Sequence, residues 1–154
     1  MQERKVKNNT NQPNLLYTGT QNLEYKTEGS AGIDLASSED VLVQHQKAIL
    51  VPTGIKVVIP KGYEGQLRLR SSMYNRGVIM PNAPGTIDSD YRGEIKIPLR
   101  NVLPYSDVAI FKGERIAQLI LSKVDQLHPV CIPPEEYDMW DTERSDGGFG
   151  STGN

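Results

Sequence analysis

Two carboxylates and a tyrosine stand close together in the segment Asp88-Ser89-Asp90-Tyr91-Arg92-Gly93. An ionised carboxylate beside a bound substrate can orient a water molecule and accept its proton, which is general base catalysis. In an ideal strand Asp88 and Asp90 would share one face and Tyr91 would lie on the other. Asp88 and Tyr91 can therefore serve one ligand only if a turn or bulge intervenes, which the Ser-Asp and Arg-Gly composition permits. Taken alone, the segment is more typical of a polar hairpin tip.

An arginine and two serines follow one another at Arg70-Ser71-Ser72. The guanidinium offers a planar fork of donors, and the serines offer hydroxyls and backbone amides, a combination that suits a phosphate group. Alone, the same residues more often mark the exposed end of a strand that enters a helical turn capped by serine. The motif therefore indicates a phosphate site only in combination with other segments.

The segment Gly147-Gly148-Phe149-Gly150-Ser151-Thr152-Gly153 is the most unusual part of the sequence. Gly148 and Gly153 have the spacing of a phosphate-binding P-loop, but Asn154 stands where that loop requires lysine. Glycine-rich polar segments of this kind are ordinarily mobile. A single aromatic among glycines is also what a segment needs if it becomes ordered on a planar ligand.

Zinc, disulfide and thiol chemistry are not indicated. His45 and His128 lie far apart without cysteine or glutamate nearby at ligand spacing, so no zinc site is predicted. Cys131 is the single cysteine, which excludes an intrachain disulfide. Its setting among prolines is more typical of an inert thiol than of a nucleophile.

The composition of the 154 residues predicts a single domain with a modest core, since 37% of them are hydrophobic and 23% are charged. A net charge of −2 gives no basic surface of the kind that binds nucleic acid. No apolar run approaches the roughly 20 residues that span a bilayer, and the N-terminus lacks the apolar stretch of a signal peptide. We therefore expect a soluble cytoplasmic protein, of cellular, viral or phage origin, with no nucleic-acid or membrane partner.

Turn signals recur roughly every 8 to 12 residues, a spacing typical of all-β sandwiches and barrels. Clear examples are Pro52-Thr53-Gly54, Pro60-Lys61-Gly62 and Lys112-Gly113. Between the turns lie β-branched or alternating runs that predict strands at residues 49–51, 55–59, 66–70, 94–99 and 116–124. One short helix is predicted at residues 72–76, and no other stretch has convincing helical periodicity.

The chain divides into three parts by composition. Residues 1–14 are rich in Asn, Gln, Lys and Thr and predict a mobile N-terminal tail. Residues 15–140 contain the predicted β-barrel domain. Residues 141–154, the C-terminal arm, contain four glycines and few apolar residues, so they cannot form a core of their own.

Five segments together resemble the trimeric dUTPase family, from about Gly29 to Gly153. In order they are Ala31-Gly32-Ile33-Asp34-Leu35, Arg70-Ser71-Ser72, Asn82 through Gly93, Gly113 through Leu119, and Arg144 through Gly153. Each segment is weakly specific, whereas their common order and spacing are highly specific. The resemblance implies an all-β, jelly-roll-like barrel subunit in a homotrimer, with three active sites shared between subunits and a flexible C-terminal arm that closes them.

The same resemblance assigns dUTP as substrate and places its base and sugar. A β-hairpin whose main chain mimics base pairing would bind uracil, through Asn82, Gly85, Thr86, Ile87 and the backbone of Lys96. Tyr91 would lie under the deoxyribose and leave no room for a 2′-hydroxyl. One added hydroxyl is poorly rejected by a merely apolar pocket, so steric exclusion is the natural device.

The resemblance also implies the reaction, hydrolysis of dUTP to dUMP and pyrophosphate. Asp88 would be the catalytic residue and activate a water molecule that attacks the α-phosphate. Mg²⁺ would be held mainly by the substrate phosphates, and Asp34 would contact the ion through water. The remaining substrate-binding residues implied are Arg70, Ser71, Ser72, Gln118, Arg144, Phe149, Gly150, Ser151 and Thr152, with Phe149 stacking on uracil. Such an enzyme keeps uracil out of DNA and supplies dUMP for dTMP synthesis.

Two alternatives remain beside this interpretation. The dCTP deaminases share the fold and are expected to carry a glutamate three residues before a strand-ending asparagine. If Asn101 is that asparagine, the position is Pro98, which cannot transfer a proton. The second alternative is a nucleotide-loaded regulatory binding protein of viral or phage origin, whose partner binding would survive the loss of Asp88.

The C-terminal arm departs from the expected family pattern at two positions. Ser145 stands where glycine is usual after the arginine, which could stiffen the arm. Asp146 adds a negative charge near the expected triphosphate, which could slow closure.

Overall fold

Eleven short strands make up most of the regular structure in the computed structural model, which describes residues 12–148. They are β1 (Leu16–Gly19), β2 (Ile33–Ala36), β3 (Val41–Val43), β4 (Ala48–Pro52), β5 (Ile55–Val58), β6 (Tyr63–Leu69), β7 (Val78–Ile79), β8 (Gly85–Ile87), β9 (Lys96–Asn101), β10 (Val108–Ile110) and β11 (Arg115–Lys123). The predicted all-β class is confirmed.

Among the described residues, the strands form four antiparallel groups in which no two paired strands are consecutive along the chain. The largest sheet has the order β2-β11-β6-β8, and a second has the order β4-β9-β7. The remaining strands form the pairs β1-β5 and β3-β10. Long connections that cross between antiparallel strands in this way are typical of jelly-roll barrels.

The core follows from the alternation of side chains along the strands. In β5, Ile55 and Val57 are buried, whereas Lys56 and Val58 are exposed. Other strands supply fully buried residues to the same cluster: Leu35, Val51, Ile97, Leu99, Ile116 and Leu119. Each side chain of this size contributes about 1.5–3 kcal/mol when it leaves water, so the inward faces of these strands hold the sheets together.

The predicted turns at Gly54, Gly62 and Gly113 are confirmed by their backbone conformation. Their φ angles are 67°, 84° and 82°, in the left-handed region that favours glycine. Gly54 lies in the turn that joins β4 to β5, and its N–H donates to the carboxylate of Glu94, near Tyr91.

A 3-10 helix spans Ser71–Arg76 and agrees with the helix predicted at residues 72–76. It buries Met73 and ends at Gly77, whose φ is 71°. The expectation of no further helix was wrong, because a four-residue α-helix, α1, spans Pro134–Tyr137. Proline near the first position and two acidic residues in the first turn favour a helix start, which periodicity over so short a stretch cannot show. Within residues 12–148, no helix is long and apolar enough to cross a membrane.

Pro98 lies inside β9, the middle strand of its sheet, although proline is confined to edges or bulges in most sheets. On one side it is opposite Leu50 of β4, in continuous register. On the other side β7 pairs only with Arg100 and Asn101. The strand is therefore locally an edge at Pro98, which explains how the missing N–H is tolerated.

Asn101 connects the end of β9 to the end of β3 and to the loop that follows β9. Its side-chain amide donates to the carbonyl oxygens of Val43 (2.9 Å) and Ser106 (2.8 Å), and its oxygen accepts from the Leu103 N–H (2.8 Å). Since Asn101→Ala leaves three backbone groups without this partner, we expect the free energy of unfolding to fall by about 3 kcal/mol. Denaturant unfolding at fixed protein concentration measures the loss. The exposed Asn75→Ala is the control, and equal stability of the two variants would contradict the prediction.

Candidate active site

A cavity of about 290 Å³, the smaller cavity, contains the residues predicted to bind base and sugar. Its lining includes Asn82, Gly85, Thr86, Ile87, Tyr91 and Lys96, together with Leu50, Leu67, Glu94 and Pro98. Five predicted residues of the segment from Asn82 to Gly93, and Lys96 of β9, thus meet in the smaller cavity.

Strand β8 forms one wall of this cavity and has a free edge. It is the last strand of the sheet β2-β11-β6-β8 and pairs only with β6, where Gly85 is opposite Leu67. A Cβ atom at Gly85 would lie 3.3 Å from the Cβ of Leu67, so the close approach of the two strands favours glycine. The backbone groups on the other edge of β8 have no strand partner within the described part of the chain. Such an edge can hydrogen-bond a planar ligand as it would a neighbouring strand.

Tyr91 reaches the smaller cavity because a turn follows β8. The Tyr91 N–H donates to the Asp88 carbonyl oxygen (3.1 Å), which confirms the predicted turn between the two residues. The Tyr91 hydroxyl donates to the backbone carbonyl oxygen of Glu94 (3.0 Å). The residue as a whole remains 43% exposed. It can therefore contact a ligand in the cavity while its hydroxyl is held.

Asp88, the predicted catalytic residue, is exposed and lines a second, larger cavity of about 810 Å³. Ile87, one residue earlier, lines the smaller cavity. The end of β8 therefore divides the two cavities, and Asp88 faces the larger one together with Asp90 and Arg92 of the same turn.

A charged cluster, the Asp34 cluster, lies where β2 meets β11. The carboxylate of Asp34 is 3.1 Å from Arg70 Nε and 2.9 Å from Arg115 Nη1. It also accepts a hydrogen bond from Gln118 Nε2 at 3.2 Å. The Asp34 side chain is only 9% exposed, whereas those of Arg70 and Arg115 are 28% and 47% exposed. One carboxylate against two accessible guanidinium groups leaves a positive charge that suits an anionic ligand.

Arg115 was not among the predicted site residues. It lies within the Gly113–Leu119 segment, opposite Ala36 of β2, and a register shift follows it along β11. Ala36 lies two positions after Asp34 on the same strand. An arginine in this place indicates an ion pair with Asp34, but only once the pairing of β2 with β11 is known.

Ser71 and Ser72 begin the 3-10 helix directly after Arg70 and are both exposed. Arg76, at the end of this helix, fixes it to the barrel. Its guanidinium forms an ion pair with Glu114 and donates to the Ala109 carbonyl oxygen (2.6 Å). The two serines are therefore presented on a held element beside the Asp34 cluster.

The described residues hold no group of three or more His, Cys, Asp or Glu side chains that could cage a metal ion. Asp34 accepts three hydrogen bonds or ion-pair contacts, and a carboxylate has about four acceptor positions. It can therefore take one further donor such as a water molecule. This donor set fits an ion that arrives with its own phosphate and water ligands, as Mg²⁺ usually does.

The C-terminal arm is described as far as Gly148, and the predictions for Phe149, Gly150, Ser151 and Thr152 lie outside the described residues. Arg144 is exposed, and its Nε donates to the Gly147 carbonyl oxygen (2.8 Å). Ser145 has a φ of 45°, in the left-handed region where glycine is favoured.

Within residues 12–148, the predicted site residues thus fall into separate places. The base and sugar residues line the smaller cavity, and Asp88 lines the larger one. Neither cavity is lined by Arg70, Ser71, Ser72, Gln118 or Arg144.

Comparison with known proteins gives a consistent result. The dUTPase family model matches residues 20–153. Deoxyuridine 5'-triphosphate nucleotidohydrolase of Zymomonas mobilis subsp. mobilis is 51% identical over 130 residues, which are 84% of this chain and 86% of that protein. The solved structure of Staphylococcus bacteriophage 80alpha dUTPase with dUPNHPP has a TM-score of 0.81 at 25% identity, covering 93% of this chain and 100% of that one.

A mutant dUTPase from phage phi11 of S. aureus, whose structure concerns the coordination of a structural Mg(II) ion, has a TM-score of 0.73 at 21% identity. It covers 80% of this chain and 99% of that one. The family match extends over most of the sequence and agrees with the barrel fold. The chain belongs to the dUTPase family.

Proposed function

We propose that the chain hydrolyses dUTP to dUMP and pyrophosphate, at active sites assembled between the subunits of a homotrimer. Family membership and the relatives named above support the reaction. The observation that carries the proposal is the smaller cavity, which brings together six of the residues predicted for base and sugar.

Uracil binds at the free edge of β8 in this proposal. Uracil and cytosine differ by an exchange of donor and acceptor at one edge, so a fixed pattern of backbone groups pairs with uracil and leaves cytosine with buried groups unpaired. Discrimination of about 10⁴-fold is attainable in this way. The Asn82 side chain lines the same cavity and adds a donor and an acceptor.

Tyr91 supports the deoxyribose. Its ring lines the smaller cavity, and its hydroxyl is already engaged by the Glu94 carbonyl oxygen. The ring therefore offers an apolar face to the sugar rather than a hydrogen-bonding group. A ring fixed against the sugar leaves no room for a 2′-hydroxyl, and this steric exclusion rejects ribonucleotides.

The triphosphate lies against the positive charge of the Asp34 cluster in a neighbouring subunit. Arg70, Gln118, Ser71 and Ser72 supply donors there, and the C-terminal arm adds Arg144, Gly150, Ser151 and Thr152, with Phe149 stacked on uracil. Within one chain, the cavity for base and sugar is not lined by Arg70, Ser71, Ser72, Gln118 or Arg144. That separation favours a trimer with shared sites over a complete site in each subunit.

Asp88 acts as the general base. An ionised carboxylate orients a water molecule and accepts its proton as the water oxygen bonds to the α-phosphorus. The bond between that phosphorus and the bridging oxygen breaks, and pyrophosphate leaves. Positioning and charge neutralisation supply most of the rate in phosphoryl transfer. The exposed position of Asp88 at the end of β8 leaves room for the water molecule.

Mg²⁺ would bind chiefly through the substrate phosphates and would neutralise part of their charge. In this chain Asp34 would contact it through water, using the acceptor position that Arg70, Arg115 and Gln118 leave free. Hydrolysis of this kind removes dUTP before uracil enters DNA and yields dUMP for dTMP synthesis.

Pyrophosphate release measured across dUTP, dCTP, dTTP and UTP, with and without Mg²⁺, tests the proposal. We expect rapid release from dUTP alone, with kcat/KM for the other nucleotides lower by roughly 10²-fold or more. Chelation of Mg²⁺ is expected to reduce the rate with dUTP. Equal rates with dUTP and dCTP, or release of ammonia from dCTP, would contradict the assignment.

A further inference from the structure

The loop that carries Tyr91 is fastened to the turn between β4 and β5. The Glu94 carboxylate accepts from the Gly54 N–H (2.8 Å), and the buried Thr53 hydroxyl donates to the Ile95 carbonyl oxygen (2.6 Å). The Ile95 N–H donates in turn to the Ile55 carbonyl oxygen (2.8 Å). Three hydrogen bonds thus connect residues 94–95 to residues 53–55, which lie about 40 positions earlier in the sequence.

Glu94 connects Tyr91 to the turn between β4 and β5. Its carboxylate is anchored at Gly54, and its carbonyl oxygen holds the Tyr91 hydroxyl at 3.0 Å. It is partly buried and lines the smaller cavity with Tyr91. A hydrogen bond to a charged group is stronger than a neutral one, and partial burial protects it from competition by water.

Gly93 supplies the space that the tyrosine ring occupies. A Cβ atom at this position would lie 2.2 Å from the Tyr91 hydroxyl oxygen and 2.4 Å from the adjoining ring carbon. Contacts this short cannot be absorbed without moving the ring. The ring therefore packs over the backbone of Gly93 with its hydroxyl fixed at Glu94.

Resting on the function proposed above, we propose that Glu94 is a positioning residue that fixes the Tyr91 ring and thereby sets discrimination between deoxyribose and ribose. Glu94 acts through its anchor at Gly54 and its carbonyl at Tyr91, without contacting the sugar. A ring held on one side by a hydrogen bond and on the other by Gly93 cannot retreat from a 2′-hydroxyl. Without the anchor at Gly54, the ring can move away from the sugar, and a ribonucleotide can bind.

The experiment compares kcat and KM for dUTP and UTP in Glu94→Ala, Glu94→Gln and Gly93→Ala. In Glu94→Ala we expect the ratio of kcat/KM for dUTP over UTP to fall roughly tenfold, the effect of one charged hydrogen bond. In Gly93→Ala the added Cβ displaces the Tyr91 ring, and the ratio should change by a similar factor. The kcat for dUTP should stay within about twofold, since Asp88 is untouched. Glu94→Gln should keep the wild-type ratio, because its amide oxygen still accepts from Gly54.

Tyr91→Ala is the positive reference and Glu39→Ala, at an exposed acid after β2, is the neutral control. An unchanged ratio in both Glu94→Ala and Gly93→Ala would overturn the proposal. A Glu94→Gln variant as permissive as Glu94→Ala would also overturn it, because the carboxylate charge would then act directly. Thermal unfolding checks each variant. If Glu94→Ala does not fold, Glu94→Asp takes its place, because its shorter side chain cannot reach the Gly54 N–H, and a wild-type ratio in Glu94→Asp would overturn the proposal. Absence of dUTP turnover in the wild type would instead refute the proposed function and is seen before any variant is made.

Discussion

Asp88→Asn is expected to lower kcat for pyrophosphate release from dUTP by roughly 10³-fold or more. General acid–base catalysis typically contributes about 10²- to 10⁴-fold to a rate. Asparagine has nearly the same shape but cannot accept the proton of the attacking water. Asp88 is exposed and follows β8, so the substitution removes no buried contact of the fold. The loss should therefore appear in kcat, with KM changed little.

The neighbouring Asp90→Asn is the matched control. Asp90 lies in the same turn, lines the same larger cavity and is also exposed. A deficit caused by net charge alone would appear in both variants, whereas a general base role affects only Asp88. Titration with a non-hydrolysable dUTP analogue should give similar Kd values for wild type and Asp88→Asn. Normal turnover by Asp88→Asn would remove the mechanism proposed above.

Local chemistry made much of the barrel predictable from sequence. Turn dipeptides ending in Gly54, Gly62 and Gly113 indicated chain reversals because few other residues adopt a left-handed φ. The alternation in β5 indicated a strand with one buried face. Such signals depend on a few consecutive residues. They predict where strands begin and end to within one to a few residues.

These local signals could not predict which strands pair, and they could not predict the contacts that depend on that pairing. The ion pair between Asp34 and Arg115 joins residues 81 positions apart. Glu94 reaches Gly54 across 40 positions. Both contacts exist only because the sheets place β2 beside β11 and β9 beside β4. The family resemblance supplied residue roles, but the groups that hold those residues in position came from the structure.

Pro98 illustrates the same limit from another direction. A proline within a strand favours an edge strand or a bulge, because proline lacks the N–H that a central strand donates. The structure places Pro98 in a central strand whose second neighbour, β7, is only two residues long. The length of the neighbouring strand decides whether the missing donor matters, and that length is not encoded near Pro98.

Deletion of every residue after Thr142 is expected to leave a folded trimer whose kcat/KM for dUTP falls by roughly 10²-fold or more. Residues 143–146 are exposed and 147–148 are partly exposed, so the described part of the deleted segment contributes little to the core. It does remove Arg144 and Phe149, which the proposed function places on the triphosphate and on uracil. Circular dichroism and sedimentation test the fold and assembly, and pyrophosphate release tests the activity. A deletion of Asn154 alone is the control and should retain full activity.

Mixing this truncated chain with Asp88→Asn distinguishes an arm that serves a neighbouring subunit from one that serves its own. Each variant alone is expected to be severely impaired, because one lacks the C-terminal arm and the other lacks the general base. If the arm reaches another subunit, trimers refolded from an equal mixture regain roughly a quarter of the wild-type sites, since each active site needs an intact Asp88 and an intact arm from two different chains. If the arm folds back onto its own subunit, every mixed site lacks one of the two, and the mixture stays inactive. Recovered activity would therefore demonstrate a shared site, because no single chain in the mixture carries both groups.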